Sequence, residues 1–148
     1  MTAIFSTHKR VEFVDTDAAG IAHFSAFMLY MEQAEHELLR HLGLSVMTKD
    51  AEGKISWPRV SVRCDFQSSA KFEDILTVEV RILRLGEKSI TYGFRFFEEG
   101  RAVATGETTA VCCRIVHEQP PKSMAVPPAM AEKLRAYLDI CEHAGLVM

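Results

Sequence analysis

Residues 15–24, which read DTDAAGIAHF, place two carboxylates, a glycine and a histidine close together near the start of the chain. A strongly patterned helical segment follows directly. A carboxylate that faces the amide-rich start of a helix suits acyl transfer, because the carboxylate attacks or directs water while backbone N–H groups polarise a carbonyl. This ten-residue segment is therefore the first candidate for a catalytic site.

The residues alone leave two interpretations of Asp17. It is either the carboxylate that does the chemistry or an Asx-type turn residue that caps the connection from strand to helix. Asp15 is expected to end the first strand and to shape the loop by hydrogen bonding. We do not expect Asp15 and Asp17 to share a proton, because alternate residues of an extended chain point apart.

Gly20 and His23 occupy the second half of the segment. Gly20 permits backbone angles that a Cβ atom disfavours, which suits a tight loop that presents its N–H groups. His23 has two open interpretations: it assists protonation of a leaving group, or it only fills the loop.

Residues 27–42 are predicted to form one long helix, because apolar residues recur there at spacings of three and four. Ser25 is the expected N-cap and Gly43 the expected C′ residue, so the candidate loop lies at the positive end of the helix dipole. Glu32 is a reserve carboxylate, although charges on such a helix more commonly form a solvated face. No metal site is predicted, because Arg40 stands where the zinc-protease motif H-E-x-x-H needs its second histidine.

Alternation of apolar and polar residues predicts the sheet. Residues 7–15 are expected to form a first strand, and four more strands are expected between residues 57 and 116. Turns are predicted at 86–88 and 98–100, residues 44–56 are predicted to be a loop, and a short amphipathic helix ends the chain. One long helix beside a five-stranded antiparallel sheet is an α+β arrangement, and we expect residues 1–148 to form a single domain.

The composition excludes several classes of function. The 148 residues carry a formal net charge of −3, which argues against a nucleic-acid binder. No apolar run approaches the roughly 18 residues needed to cross a bilayer, and the N-terminus does not read as a signal peptide. The four cysteines include no CxxC and are interpreted as small buried side chains. We therefore expect a cytoplasmic protein without a nucleic-acid or membrane partner.

The DTDAAG loop and the helix after it resemble the signature of the 4-hydroxybenzoyl-CoA thioesterase-like branch of the hotdog-fold superfamily, which includes the YbgC-type acyl-CoA thioesterases. The likeness runs over about residues 8–118. Residues 66–76 resemble the family's P-A-x-x-x-D-x-L turn, without its proline. The resemblance implies a hotdog fold, in which a five-stranded antiparallel sheet wraps around a long central helix. It also implies an acyl-CoA thioesterase without metal or organic cofactor, assembled as a homodimer or homotetramer with each site between subunits.

The same resemblance implies roles for individual residues. Asp17 matches the family's active carboxylate, three residues before Gly20, and would act as nucleophile or as general base. The backbone amide of Phe24, seven residues after Asp17, matches the donor that polarises the thioester carbonyl. YbgC-like relatives carry a histidine at that seventh position, whereas here His23 comes one residue earlier.

Basic residues are candidates for contacts with the phosphates of CoA. Arg84, Lys88 and Ser89 flank the predicted turn at 86–88, where relatives place such contacts, and Arg59 and Arg63 are weaker candidates. Taken singly, charges at strand ends are more commonly simple surface charge. Two other functions stay open: a hotdog hydratase–dehydratase that acts on enoyl or 3-hydroxyacyl thioesters, and a non-catalytic acyl-CoA-binding module.

Overall fold

The computed structural model describes residues 4–146, which form two α-helices and two antiparallel sheets. The α+β class predicted from the sequence is confirmed. A 3₁₀ turn, Phe13–Asp15, precedes the first helix. The strands and helices in chain order are β1 (Phe5–Arg10), α1 (Phe24–His41), β2 (Thr48–Asp50), β3 (Gly53–Ser56), β4 (Arg59–Phe66), β5 (Ile75–Leu85), β6 (Ser89–Glu98), β7 (Arg101–Val111), β8 (Cys113–Arg114), β9 (Lys122–Ser123) and α2 (Pro128–Leu146).

The larger sheet has the strand order β1-β5-β6-β7-β4, and every neighbouring pair is antiparallel. The two predicted turns join β5 to β6 and β6 to β7. One face of the sheet is a wall of the core, because successive side chains of a strand point to opposite faces and alternate residues of β5 are buried. These residues are Leu76, Val78, Val80 and Ile82.

Helix α1 packs on this buried face. Phe27 lies edge-on against Phe96 of β6, with ring centroids 5.2 Å apart. One turn further on, Met31 lies over Gly106 of β7, where a Cβ atom would overlap the sulfur of Met31. The missing side chain at Gly106 therefore allows the helix and the sheet to approach each other closely.

Helix α2 closes the core beside β5. Its Tyr137 hydroxyl donates a hydrogen bond to the carbonyl of Val80 and accepts one from the backbone N–H of Phe5 at 2.8 Å. The predicted last helix is thus confirmed, but it is 19 residues long rather than short.

The structure corrects the ends of two predicted elements. β1 stops at Arg10 instead of continuing to residue 15, because Glu12 and Asp15 cap each other across the 3₁₀ turn. α1 begins at Phe24 rather than at residue 27, and His23 rather than Ser25 is its N-cap. The end of α1 is as predicted, before Gly43.

Residues 44–56, predicted to be a loop, instead contain the hairpin β2–β3. It belongs to a small sheet of order β2-β3-β8-β9. Arg114 of β8 donates to a carboxylate oxygen of Asp50 in β2 at 2.9 Å. This hydrogen bond to the guanidinium group lowers the pKa of Asp50 to about 2. The ion pair thus fastens the hairpin to β8.

Strand β4 forms one edge of the larger sheet and carries exposed apolar side chains. Among the described strands it pairs with β7 alone. Val60, Val62 and Phe66 are 63%, 49% and 49% exposed, and the neighbouring Leu29 of α1 is 55% exposed. An unpaired edge with this character is a template for pairing with another chain.

The cysteines agree in part with the expectation of small buried side chains. Three cysteines are buried, Cys64 is partly buried, and all four are free thiols. None of the helices within residues 4–146 has the length and apolar character that crossing a membrane requires.

Candidate active site

The segment 15–24, here called the Asp17 loop, is closed on itself and tied to the chain between β4 and β5. The N–H of Asp17 donates to the carbonyl of Ile21 at 2.9 Å. The N–H of Ala22 donates to the carbonyl of Ala70 at 2.7 Å. The position of the loop relative to the sheet is therefore held by backbone hydrogen bonds.

Asp17 is half-buried, and its two carboxylate oxygens differ. Oδ1 accepts a hydrogen bond from the N–H of Ala19 at 2.8 Å, which is the Asx-type turn considered from the sequence. Oδ2 has no hydrogen-bond partner within residues 4–146. Gly20 closes the turn with φ of +78°, a left-handed conformation that favours glycine. One oxygen thus holds the carboxylate in place while the other is available.

The first turn of α1 leaves one backbone amide free. The first N–H groups of a helix have no partner inside it and need one elsewhere. The N–H of His23 donates to the Asp15 carbonyl at 2.8 Å, that of Ser25 to His23 Nδ1 at 3.2 Å, and that of Ala26 to the His23 carbonyl at 2.9 Å. The N–H of Phe24 has no such partner in the described part of the chain. It is therefore the donor available at the start of the helix.

His23 forms the contacts of a capping residue. Its Nδ1 accepts from the N–H of Ser25 and lies 2.8 Å from the Ser25 hydroxyl, while its ring packs on that of Phe24 with centroids 4.4 Å apart. An Nδ1 that accepts places the proton of the neutral ring on Nε2. These bonds fix the imidazole against the first turn of α1.

Asp17 and Phe24 line the same cavity, here called the Asp17 cavity, of about 360 Å³. Phe27 and Phe66 form its apolar wall, with their rings edge-on at 5.1 Å. Residues 67–69 contribute polar groups. A cavity with apolar walls and a few placed polar groups is typical of small-molecule binding sites.

Tyr30 belongs to the support of this site and was missed by sequence reasoning, because its position in α1 is indistinguishable from the apolar stripe. Its hydroxyl donates to Asp15 Oδ2 at 2.7 Å, and the same oxygen accepts from the N–H of Glu12 at 2.9 Å. Burial, with the Asp15 carboxylate, raises the pKa of Tyr30 above its usual range. The hydroxyl therefore stays protonated and ties the Asp17 loop to α1, which is the loop-shaping role expected of Asp15.

Three of the predicted CoA contacts do not reach the Asp17 cavity of their own chain. Arg84, Lys88 and Ser89 do flank the turn between β5 and β6, as predicted. That turn lies at the end of the sheet opposite to Phe66, because β4 runs from Arg59, level with the turn, to Phe66 at the cavity.

The other two candidates, Arg59 and Arg63, lie on opposite faces of β4. A register shift between Arg59 and Ser61 reverses the alternation. Arg59 therefore faces α1, whereas Arg63 pairs with Asp65 at 3.1 Å on the outer face.

Glu35 is a second functional candidate that sequence reasoning missed, because a glutamate in a charged run reads as part of a solvated helix face. It is only 2% exposed and forms an ion pair with Arg59 at 2.7 Å. Burial raises the pKa of Glu35 to about 7, and Arg59 limits the rise. Glu32, the reserve carboxylate, is exposed and lies near Glu35 rather than near Asp17. Within residues 4–146 no group of three His, Cys, Asp or Glu side chains could hold a metal ion.

Comparison with known proteins finds several to which this chain is similar. The model of the thioesterase-like superfamily matches residues 11–134. The chain is 29% identical over 137 residues to a 1,4-dihydroxy-2-naphthoyl-CoA hydrolase of Synechococcus sp. (strain WH7803), covering 88% of each protein. It is 25% identical over 127 residues to the acyl-CoA thioester hydrolase YbgC of Escherichia coli O6:H1, covering 83% of this chain and 94% of the relative.

A solved structure shows the same fold. The BH1999 gentisyl-coenzyme A thioesterase superposes with a TM-score of 0.75 at 26% identity, covering 88% of this chain and 99% of the other.

Proposed function

The chain belongs to the thioesterase-like superfamily, as predicted from its sequence, and we propose that it is an acyl-CoA thioesterase. The reaction uses water to convert the thioester into a carboxylic acid and CoA. Relatives named as CoA thioester hydrolases align with most of the chain. We further propose that the whole chain is one catalytic domain of hotdog type, with the larger sheet curved around α1, and that it requires neither metal nor organic cofactor.

The observation that carries the proposal is that Asp17 and Phe24 line one cavity, each with an unused polar group. The free N–H of Phe24 would donate to the thioester oxygen, and the helix dipole would stabilise the negative charge that develops there. The free Oδ2 of Asp17 would direct the attack on the carbonyl carbon from the side of the loop, either as the attacking atom or by activating water. Loss of one such donor typically lowers the rate by about 10²–10³.

Asp17 would act in one of two ways. As a nucleophile, Oδ2 attacks the carbonyl carbon, the C–S bond breaks, and water hydrolyses the mixed anhydride. As a general base, Oδ2 takes a proton from water as the water oxygen attacks, and CoA leaves as thiolate. A thiolate leaves readily, so neither route needs a strong acid, which agrees with an imidazole of His23 that caps the helix.

We propose a homodimer, alone or paired into a homotetramer, that forms through the exposed apolar edge of β4. Antiparallel pairing of two β4 edges would place the Arg59 end of one copy beside the Phe66 end of the other. The turn that carries Arg84, Lys88 and Ser89 would then approach the Asp17 cavity of the second copy. This arrangement would make them CoA contacts across the interface.

The proposed location is the cytoplasm, and acyl-CoA is the proposed partner. The four free thiols support a reducing compartment.

The test is thiol release from a panel of short-chain, long-chain and aromatic acyl-CoAs, with hydration of enoyl-CoA followed in parallel. We expect thiol release with at least one acyl class and no change in the enoyl double bond. Hydration without thiol release would instead identify a hydratase. Saturable acyl-CoA binding without either reaction would identify a binding module and contradict the proposal.

A further inference from the structure

One wall of the Asp17 cavity is the segment 67–70, which leads from the end of β4 towards β5 and forms no regular strand. At its start, two backbone N–H groups donate to the carbonyl of Val103 in β7, at 2.8 and 3.1 Å. At its end, the carbonyl of Ala70 accepts the N–H of Ala22, which belongs to the Asp17 loop, at 2.7 Å. The segment therefore connects the larger sheet to the Asp17 loop.

Arg101, the first residue of β7, holds the middle of this segment. Its Nη1 donates to the Ser68 hydroxyl oxygen at 2.6 Å and to the backbone carbonyl of Ser69 at 2.8 Å. The Ser68 hydroxyl in turn donates to the carbonyl of Ala102 at 2.6 Å. Because a hydroxyl has one proton to donate, its oxygen is left to accept from Arg101. These bonds hold residues 68 and 69 against the start of β7.

Two carboxylates orient the guanidinium group of Arg101. Its Nη2 donates to Glu98, on the other side of the turn at 98–100, at 3.3 Å, and lies 3.9 Å from Asp74 Oδ2. The same oxygen of Asp74 accepts the N–H of Lys71, directly after the segment, at 2.8 Å. The Arg101 side chain is 42% exposed, so these ion pairs contribute little to stability. Their effect is geometric, because a planar group held at Nη2 presents Nη1 in a fixed direction.

We propose that Arg101 is a positioning residue for the Asp17 carboxylate. Arg101 holds the segment 67–70, and the Ala70 carbonyl at the end of this segment holds the Asp17 loop through the N–H of Ala22. This inference rests on the proposed thioesterase function and adds a residue that acts through hydrogen bonds to the loop rather than on the substrate.

The position of Arg101 indicates which kinetic constant it affects. The Asp17 carboxylate is proposed to act in the chemical step, so a displaced loop weakens an interaction made in the transition state. The proposed contacts with CoA come from other residues, which a displaced loop leaves in place. Loss of Arg101 should therefore lower kcat and leave KM nearly unchanged.

The experiment compares Arg101→Met with the matched control Arg114→Met. Arg114 also donates to a backbone carbonyl, that of Gly53 at 3.0 Å, and to a carboxylate, that of Asp50 at 2.9 Å. These bonds fasten the hairpin of the small sheet instead of the segment 67–70. Arg101→Lys is a second variant should Arg101→Met fail to fold, because it keeps the charge but lacks the planar fork.

Two quantities are measured in each protein. The first is the hydrogen-exchange rate of the Ala22 amide, followed by NMR and expressed relative to the amides of β6, the central strand of the larger sheet. This ratio reports local opening of the loop rather than global unfolding, and it requires no substrate. The second is kcat and KM for thiol release from the best acyl-CoA.

We expect Arg101→Met to raise the relative exchange rate of the Ala22 amide about 10- to 100-fold, as for loss of a hydrogen bond to a charged group. Its kcat should fall by about 10- to 100-fold, with KM within about twofold of the wild-type value. Arg101→Lys should lie between the wild type and Arg101→Met in both quantities, and Arg114→Met should match the wild type in both.

Wild-type exchange at Ala22 or a wild-type kcat in Arg101→Met would overturn the inference, as would equal changes in Arg114→Met. If Arg101→Met does not fold, the same criteria apply to Arg101→Lys. Absence of thiol release in the wild-type protein would refute the thioesterase proposal, whereas the exchange rates would still decide whether Arg101 holds the Asp17 loop.

Discussion

Replacing Tyr30 by phenylalanine is expected to loosen the Asp17 loop without enlarging any cavity. Tyr30 is 3% exposed, and its hydroxyl donates to the Asp15 carboxylate at 2.7 Å. A hydrogen bond to a charged group contributes about 1.5–3 kcal/mol to stability. The backbone carbonyl of Asp15 also accepts a hydrogen bond from the N–H of His23. Loss of the Tyr30–Asp15 hydrogen bond therefore affects both ends of the loop that carries Asp17.

The expected effect on activity follows from the position of the Tyr30–Asp15 hydrogen bond between the Asp17 loop and α1. The Asp17 carboxylate belongs to the loop and the Phe24 amide belongs to the helix, so the Tyr30–Asp15 bond helps to set the distance between them. A displacement of about 1 Å at a reacting group costs on the order of 10² in rate. We expect Tyr30→Phe to lower kcat/KM for the best acyl-CoA by about 10- to 100-fold, mainly through kcat.

Tyr137→Phe is the matched control. Tyr137 is also 3% exposed, and its hydroxyl forms two hydrogen bonds, but these join α2 to β5 and β1. The assays are urea unfolding at fixed protein concentration and steady-state thiol release. Both variants should lose stability, but only Tyr30→Phe should lose activity. Wild-type activity in Tyr30→Phe, or equal loss in both variants, would refute the reasoning.

Three further predictions concern stability. The pKa of Glu35 rises from 4.5 to about 7 on folding, so its proton stabilises the fold fully below pH 4.5 and this stabilisation is lost as the pH rises through 7. Between pH 4.5 and 7, the free energy of unfolding in urea should decrease by up to about 3 kcal/mol more in the wild type than in Glu35→Gln. The same pH dependence in both proteins would contradict this prediction. Gly106→Ala should destabilise the fold by about 1–3 kcal/mol, because the added Cβ atom meets the Met31 side chain. The control Gly145→Ala should not destabilise the fold, because its added Cβ atom has no neighbour within 4 Å. Equal melting temperatures of the two variants would contradict this prediction. Gly20→Ala should lower the free energy of unfolding by about 1 kcal/mol, because residue 20 has a left-handed backbone with φ of +78°, and it should also lower kcat. An unchanged midpoint of urea unfolding would contradict this prediction.

The candidate loop could be found from the sequence because its signal is local. Spacing puts Asp17 and Gly20 on one short connection directly before a helix, and the family resemblance adds the backbone amide of Phe24. The exact start of α1 could not be found in the same way. His23 caps the helix only because the loop holds its backbone against Asp15, a contact that residue preferences at the N-cap do not contain.

The buried Glu35–Arg59 ion pair could not be predicted from the sequence for two reasons. Glu35 and Glu32 look alike in a helical pattern, and only the position of β4 makes one of them buried. Strict alternation places Arg59 and Arg63 on the same face, but a bulge between them separates the two faces. Both features depend on tertiary packing, as does the short hairpin at residues 48–56, which has too few residues for a pattern.

The most direct test of the proposed chemistry is a comparison of kcat and of acyl-CoA binding between Asp17→Asn and Asp65→Asn. The second variant makes the same chemical change at an exposed aspartate on the outer face of β4. We predict that Asp17→Asn lowers kcat by about 10²–10⁴ while the Kd of a non-hydrolysable analogue is unchanged, and that Asp65→Asn keeps wild-type values of both. Equal kcat in the two variants would show that the Asp17 carboxylate does not act on the thioester.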